Sequence, residues 1–251
     1  MAEQPTRAVA QSRNSAAAAP RRAPKNNRLL RALWPADWNL IAPHLVHSSL
    51  NVRDSFERPN RRIDEVCFPE AGIASVVAEH ANGRRIEIGL IGCEGMTGSA
   101  VLLGSDRTPH ATYIQVAGAG HRLAVPKLRE LMAKSQTLHA RLLKYVQAFM
   151  VQTAHSAIAN ARGTLTERLA RWLLMAHDRV PHDELILTHE FLSLMMAVRR
   201  PSVTETLNVL EDAGLVQCAR SRVTVLDRKG IEKLAGAYYG VPEAEYARLM
   251  R

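Results

Sequence analysis

Apolar and polar positions change their period along these 251 residues. From Leu29 to Leu45 the spacing is helical, interrupted at Pro35, with Leu40, Ile41 and Leu45 on one side. Between Leu50 and Val125 the apolar runs shorten to strand length: Ile63–Phe68, Ile73–Glu79, Arg84–Ile91, Thr112–Ala117 and Arg122–Val125. Asn82-Gly83 is a two-residue hairpin signal, because both positions tolerate the positive φ such a turn demands. Closely spaced strands punctuated by Gly and Pro predict a small antiparallel barrel or jelly roll. From Pro126 to about Val180 the period is helical again. Leu138, Leu142, Tyr145 and Phe149 step by four, three and four, the spacing of a coiled-coil seam. It runs on through Gln152, Ser156 and Ala159, which are smaller or polar, while Leu143, Val146 and Met150 form a second stripe. A helix apolar on two faces needs two partners, its own barrel and a sister helix, so the first stripe is read as a dimer seam. The alternative is a helix buried within a monomer.

Gly163 interrupts this helix, and Thr164-Leu165-Thr166-Glu167 has the pattern of a capping box that restarts it, which marks a hinge. Leu165, Leu169, Trp172, Leu173 and Ala176 then share one face. After a turn at Pro181 and a strand-like Leu185-Ile186-Leu187, Thr188 caps a short helix bearing Leu192, Met195 and Met196. A second helix carries Val203, Leu207 and Leu210 and ends at Gly214, where a left-handed cap fits. Two short helices with facing apolar stripes form a helix-turn-helix, and the second opens with Arg199-Arg200. Gln217–Arg220 and Arg222–Val225 alternate as two strands around Ser221, a wing with a basic tip.

Composition alters this picture little. The chain is 47% hydrophobic and 23% charged, as soluble globular proteins are. Its net charge of +9 is concentrated in the first 31 residues, which contribute +6 through seven basic side chains against Glu3. The charge that matters for a nucleic acid is therefore the arginines of the second helix and wing rather than the total. Residues 1–27, rich in Ala, Pro, Arg and Asn, read as a disordered basic tail, either inert or a non-specific phosphate-binding arm. Cys67, Cys93 and Cys218 are scattered with no C-x-x-C pair, which fits a reducing, cytoplasmic compartment and gives no zinc or iron–sulfur framework. No apolar run approaches the roughly 20 residues that cross a bilayer, so no membrane role is expected. No nucleophile–base signature, phosphate loop or clustered metal ligands argue for an enzyme. His44-x-x-His47 is the one suggestive metal spacing, and it reads as a solvated helix end.

Barrel, long helix, hinge and winged helix-turn-helix, in this order over residues 29–240, resemble the Crp/Fnr family of bacterial transcription regulators. The residues that carry the resemblance are Phe68-Pro69-Glu70-Ala71-Gly72, Ile91-Gly92-Cys93-Glu94-Gly95 with Gly98, and Thr188 to Val216. It implies an α+β protein: an N-terminal antiparallel β-barrel or jelly roll like a cyclic-nucleotide-binding domain, a long dimerisation helix and a C-terminal winged helix-turn-helix. The divisions are a tail (1–27), a sensor barrel with flanking helices (28–134), the dimerisation helix (135–162), the DNA-binding domain (163–240) and a C-terminal tail (241–251). It further implies a homodimer on a near-palindromic site in double-stranded DNA, contact with RNA polymerase, and control by a signal at the barrel.

In cyclic-AMP-binding members a Glu after the loop glycine and a later Arg hold the ribose and phosphate. Here Ser99 follows Gly98 and the arginine position falls near His110. Ser99 lacks a carboxylate's acceptors and His110 lacks a permanent fork of charge, so cyclic AMP is not the expected effector. The four-cysteine cluster of oxygen-sensing members is absent too, so no cofactor is expected and the effector stays open. Among DNA-facing positions, Arg200 aligns with a family arginine that reads guanine, a bidentate pairing. Glu205 and Pro201 stand where well-known members carry arginine and glutamate, which implies a different target site. Glu205 either accepts from a cytosine amino group or closes a capping box with Ser202. Thr188, Arg199, Ser202, Thr204, Arg220 and Arg222 read as phosphate or groove-edge contacts. Cys218, beside Arg220 and Arg222, is either a small strand residue or a thiolate-forming redox site. The alternative to a DNA regulator is a ligand-binding or scaffold protein of the same architecture.

Overall fold

The computed structural model describes residues 26–80, 83 and 85–251. Nearly all of the predicted basic tail, and Asn82 of the hairpin signal, lie outside them. Asn27, read as the end of the tail, belongs to the fold instead. It is fully buried: its Oδ1 accepts from the Leu30 amide at 2.9 Å and caps α1 (Arg28–Arg31), while its Nδ2 donates to the carbonyls of Pro69 and Gly95. Pro35 opens α2 (Pro35–Ile41) at the first turn, where its missing N–H costs nothing.

The N-terminal half is one antiparallel sheet of β1 (Val46–Leu50), β2 (Ser55–Glu57), β3 (Glu65–Glu79), β4 (Arg85–Ile91) and β5 (Ala111–Ala124), with α3 (Ser99–Leu102) before β5. The order is β1-β5-β3-β4 with β2 also on β5, a barrel-like arrangement left open by hydrogen bonding. Two pairs of predicted strands prove continuous. β3 runs through Pro69–Gly72 by a series of register shifts against β5, with Gly72 at φ +88°. These are bulges, where an unpaired residue bends a strand without ending it. β5 answers with Gly118 and Gly120, and a Cβ on Gly120 would sit 2.6 Å from the Phe68 carbonyl oxygen. The glycines that read as turns are thus points of close backbone approach.

The helical half follows as α4 (Val125–Lys134), α5 (Gln136–Arg162) and α6 (Leu165–His177). Thr164 and Glu167 form the predicted capping box at the start of α6. Then come β6 (Glu184–Ile186), α7 (His189–Met196), α8 (Arg200–Asp212), β7 (Val216–Ala219), β8 (Arg222–Val225), α9 (Arg228–Ala235) and α10 (Val241–Leu249). The three short strands pair as β6-β8-β7. The segment read as a C-terminal tail is this last helix. It is held by Arg141 of α5, which donates to the carbonyls of Leu249 and Arg251, and by the Tyr246 hydroxyl, which donates to the Glu94 carbonyl at 2.7 Å.

The seam read on α5 faces inward. Leu138, Leu142 and Tyr145 are buried in one cluster with Phe68, Met96 and Leu128, and Phe149 packs against it, so these four side chains are committed to their own chain. The polar continuation has the same explanation: the Gln152 amide bonds both the N–H and the carbonyl of Leu90, and Ser156 accepts from Arg171. Val146 also points inward. The outward face carries Ala140, Leu143, Gln147, Met150, Ala154, Ala157 and Ala161, all exposed and stepping three, four, three, four, three, four. Four small side chains and the polar Gln147 hid this second heptad beneath the bulkier first.

Glycines on and after β4 make room for the inward face. A Cβ on Gly89 would come within 2.7 Å of the Phe149 ring, one on Gly92 within 2.7 Å of the Arg179 stem, and one on Gly95 would overlap the Tyr145 ring. Gly95→Ala is therefore expected to lower folding stability by about 1–3 kcal/mol, the usual cost of overpacking. A denaturant midpoint equal to the parent's would show that Tyr145 yields freely.

Candidate nucleic-acid interface

α7 and α8 pack through Phe191, Leu192, Met195, Met196, Val203, Leu207 and Leu210, all buried. Ala197 turns the chain between them in the left-handed region, at φ +53°. Thr188 caps α7, its Oγ1 accepting from the Phe191 amide at 3.1 Å. α8 starts differently. Its N-cap is Arg199, no side chain caps it, and Arg199, Arg200 and Pro201 are all exposed. The result is a helix N-terminus with its partial positive charge unmasked and two guanidinium groups at its mouth, an arrangement suited to an anionic duplex.

The helix start also separates the two readings of Glu205. Ser202 lies inside the first turn, not at the cap, and its carbonyl accepts from Thr206 Oγ1. The Ser202–Glu205 capping box does not form, and Glu205 stands exposed on the same helix as Arg200. Thr204 is engaged inside the motif: its hydroxyl bonds the Arg200 carbonyl and pairs with His189 Nδ1 at 2.9 Å. His189, which sequence reasoning missed, thereby ties α7 to α8; only its position after the cap Thr188 could have signalled it. On the wing, Arg220 and Ser221 form a two-residue turn with Ser221 at φ +60°, leaving Arg220 exposed at the tip. Arg222 instead pairs with Glu184 of β6 at 3.1 Å and pins the wing to the third strand. Six of the eight predicted positions thus surround the starts of α7 and α8, and the other two sit on the wing. The arginines beside Cys218 do not favour its thiolate: burial and the Glu211 carboxylate push the thiol up to about 11.

The residues read as an effector pocket each make local contacts. The Gly98 amide is taken by buried Glu57, whose Oε1 accepts at 2.8 Å, and Val66 fills the space where a Cβ on Gly98 would point. Ser99 begins α3, while the His110 amide donates to Thr108 Oγ1 in a loop. A cavity of about 80 Å³ opens elsewhere, between Arg28, Glu94, Tyr145, Arg179, Glu243 and Tyr246.

The helix-turn-helix domain is docked on the N-terminal sheet. Ile73, Val77 and Leu90 of the sheet share one buried cluster with Trp172, Phe191, Met195 and Met196. Arg179 reaches across to Glu94, with Nε and one terminal nitrogen 2.9 and 2.8 Å from Oε1, and this pair is almost wholly buried. Trp172 Nε1 donates to Glu87 Oε1 at 2.6 Å.

Residues 167–234 match the model of the Crp-like helix-turn-helix domain. This segment is a Crp-like helix-turn-helix domain. Solved structures extend the likeness to the whole architecture. FixK2 from Bradyrhizobium japonicum superposes with a TM-score of 0.66 at 14% identity, covering 77% of this chain and 98% of that one. A transcriptional regulator assigned to the Crp/Fnr family from Eubacterium rectale gives 0.63 at 18%, covering 82% and 97%. A CRP-family transcriptional regulator from Thermus thermophilus gives 0.62 at 21%, covering 76% and 97%. The chain has the Crp/Fnr fold. No match was found among curated proteins. Among the described residues no helix is long and apolar enough to cross a membrane.

Within this Crp/Fnr-type fold, Glu87 makes the docked interface sensitive to pH. Burial pushes its carboxyl up to about 7 from 4.5, against the pull of Ser75, Trp172 and the arginines 179 and 171. Because the folded-state value is the higher one, the folded form is favoured while the group is protonated. That advantage is lost as pH rises from about 4.5 to about 7, a change of about 3 kcal/mol. Glu87→Gln keeps an acceptor for Trp172 and carries no charge. The variant is expected to match the parent near the unfolded carboxylate's pKa and to exceed it in stability at mildly alkaline pH, as read by denaturant melts. Identical pH profiles would place Glu87 in water.

Proposed function

We propose that this protein is a homodimeric, sequence-specific DNA-binding transcription regulator, acting in the cytoplasm and governed by a signal at its sensor sheet. The observation that carries this reading is the uncapped, arginine-bearing start of α8 in a Crp-like helix-turn-helix domain. Arg200 and Glu205 are the base-reading side chains, the first for guanine and the second for a cytosine amino group. Arg199 and Arg220 hold phosphates, with Thr188 and Ser202 at the groove edge. Thr204 and Arg222 act by keeping helix and wing in place. The site is near-palindromic, RNA polymerase is the downstream partner, and no step of the role is catalytic.

The homodimer forms through the outward stripe of α5, Ala140 to Ala161, which has the heptad spacing of a coiled coil and exposed apolar Leu143 and Met150 on either side of Gln147. A single polar residue in such a seam favours one register over its neighbours. Two recognition helices held by one seam then meet successive major grooves.

Selection from random DNA should return a two-fold site. Arg200→Ala is expected to cost about 1–3 kcal/mol and to relax preference at one base pair per half-site in competition gel shifts. Equal loss on all sequences would make Arg200 a phosphate contact. Met150→Glu places a like charge on both sides of the seam, and light scattering should report a monomer with weakened DNA binding. A dimer that persists would move the interface off α5.

A further inference from the structure

The cavity of about 80 Å³ at the junction of the two halves is built from five segments of chain. Tyr145, Ala148 and Phe149 of α5, with Pro242 and Tyr246 of α10, give it apolar walls. Arg28 of α1, Glu94 after β4, and Asp178 and Arg179 after α6 bring charge to it. All but one of these charges are matched. Glu94 holds Arg179. Asp178 accepts from Arg228 and from the Tyr239 hydroxyl, both at 2.8 Å. Glu243, also in the lining, accepts from the Gly240 amide at 2.9 Å, and its charge supports the buried Arg171 and Arg179. Arg28 differs. Among the described residues its side-chain bonds all run through Nη2, to the Asp178 carbonyl at 2.8 Å and to Cys93 Sγ at 3.5 Å, and no carboxylate stands within ion-pair distance. The guanidinium is therefore anchored at one nitrogen and keeps donors to spare.

We propose that this cavity binds a small organic monocarboxylate, its carboxylate taken by Arg28 and its short aliphatic tail lying among the walls from α5 and α10. A planar guanidinium with free N–H groups is matched to a carboxylate, and charge-assisted bonds of that kind are the strong ones. Apolar walls with a few polar groups are the usual make-up of a small-molecule site. The space sets the size: it is about half the roughly 150 Å³ that admits benzene, so a ligand of few atoms fits. The charge sets the class. Glu94, Asp178 and Glu243 oppose a dianion such as phosphate, whereas a single negative charge is balanced by the unmatched arginine. Arg28 already joins the N-terminal half to Asp178, and α5 and α10 face each other across the same space. An occupied cavity thus ties the two halves together and stabilises their docked arrangement by mass action. Any effect of the ligand on DNA rests on the regulatory reading above; its binding does not.

The test titrates the full chain with propionate at constant ionic strength, followed by ligand-observed NMR and by the melting temperature. One saturable site per chain within about 10 mM is expected, the range open to so small a ligand, with a rise in melting temperature. Propionamide, the same shape without the charge, should not compete. Arg28→Gln is the decisive variant, because Arg28 is exposed and its removal leaves the core untouched; it should weaken binding at least about tenfold. Ala148→Leu keeps the arginine and fills the space beside it, and should abolish binding. Arg129→Gln, an exposed arginine on α4 away from the cavity, should change nothing. Absence of saturable propionate binding, equal binding of propionamide, or unchanged affinity in Arg28→Gln would overturn the proposal. None of these readouts involves DNA, so a failure here leaves the regulatory reading standing, and the reverse.

Discussion

The close approach of α5 and the end of α6 to strand β4 is the constraint on which the rest of this architecture depends. Three glycines spaced three apart, Gly89, Gly92 and Gly95, remove side chains where Phe149, Arg179 and Tyr145 must enter. The space they clear lets a charged pair, Arg179 with Glu94, be buried at the junction of the two halves. Burying two charges is tolerable only when their partners are complete. Here the glutamate also receives the Gly92 amide, and the arginine also donates to the Met175 carbonyl. The same junction collects the Tyr246 hydroxyl and the Arg28 guanidinium, so four separate segments of chain meet around one ion pair.

Much of this organisation was legible in the residues. The capping box at Thr164, the cap at Thr188 and the apolar stripes of α7 and α8 are local signals, and local signals survive folding unchanged. What was misread depended on partners distant in sequence. The heavy stripe of α5 looked like a dimer seam because spacing says that a face is buried but not by what; the sheet claimed it. The lighter, alanine-rich stripe carried too little apolar bulk to register. Glycines at 72, 118 and 120 resembled turns because a bulge and a turn draw on the same residue. β1 was overlooked because His47-Ser48-Ser49 lacks strand-like hydrophobicity and is paired along only one edge.

The candidate site divides along similar lines. Arg199, Arg200 and Arg220 could be picked from sequence because exposed cationic residues at a helix start or turn tip have few other uses. Thr204 and Arg222 were read as phosphate or groove-edge contacts, and spacing alone could not show that they bond His189 and Glu184 within the fold. For Glu205 a single structural fact removes the capping-box reading: the cap of α8 lies three residues earlier than that reading required.

The cluster that joins Ile73, Val77 and Leu90 to Trp172, Phe191 and Met195 has a consequence for cooperativity. The helix-turn-helix half completes its interior with three residues of the sheet, so parting the two strips apolar cover from both. Such a molecule melts as one unit rather than as two independent bodies, and a wobble in either lobe is felt thermodynamically by both. What joins the two halves is therefore not only a linker but a shared stretch of hydrophobic interior.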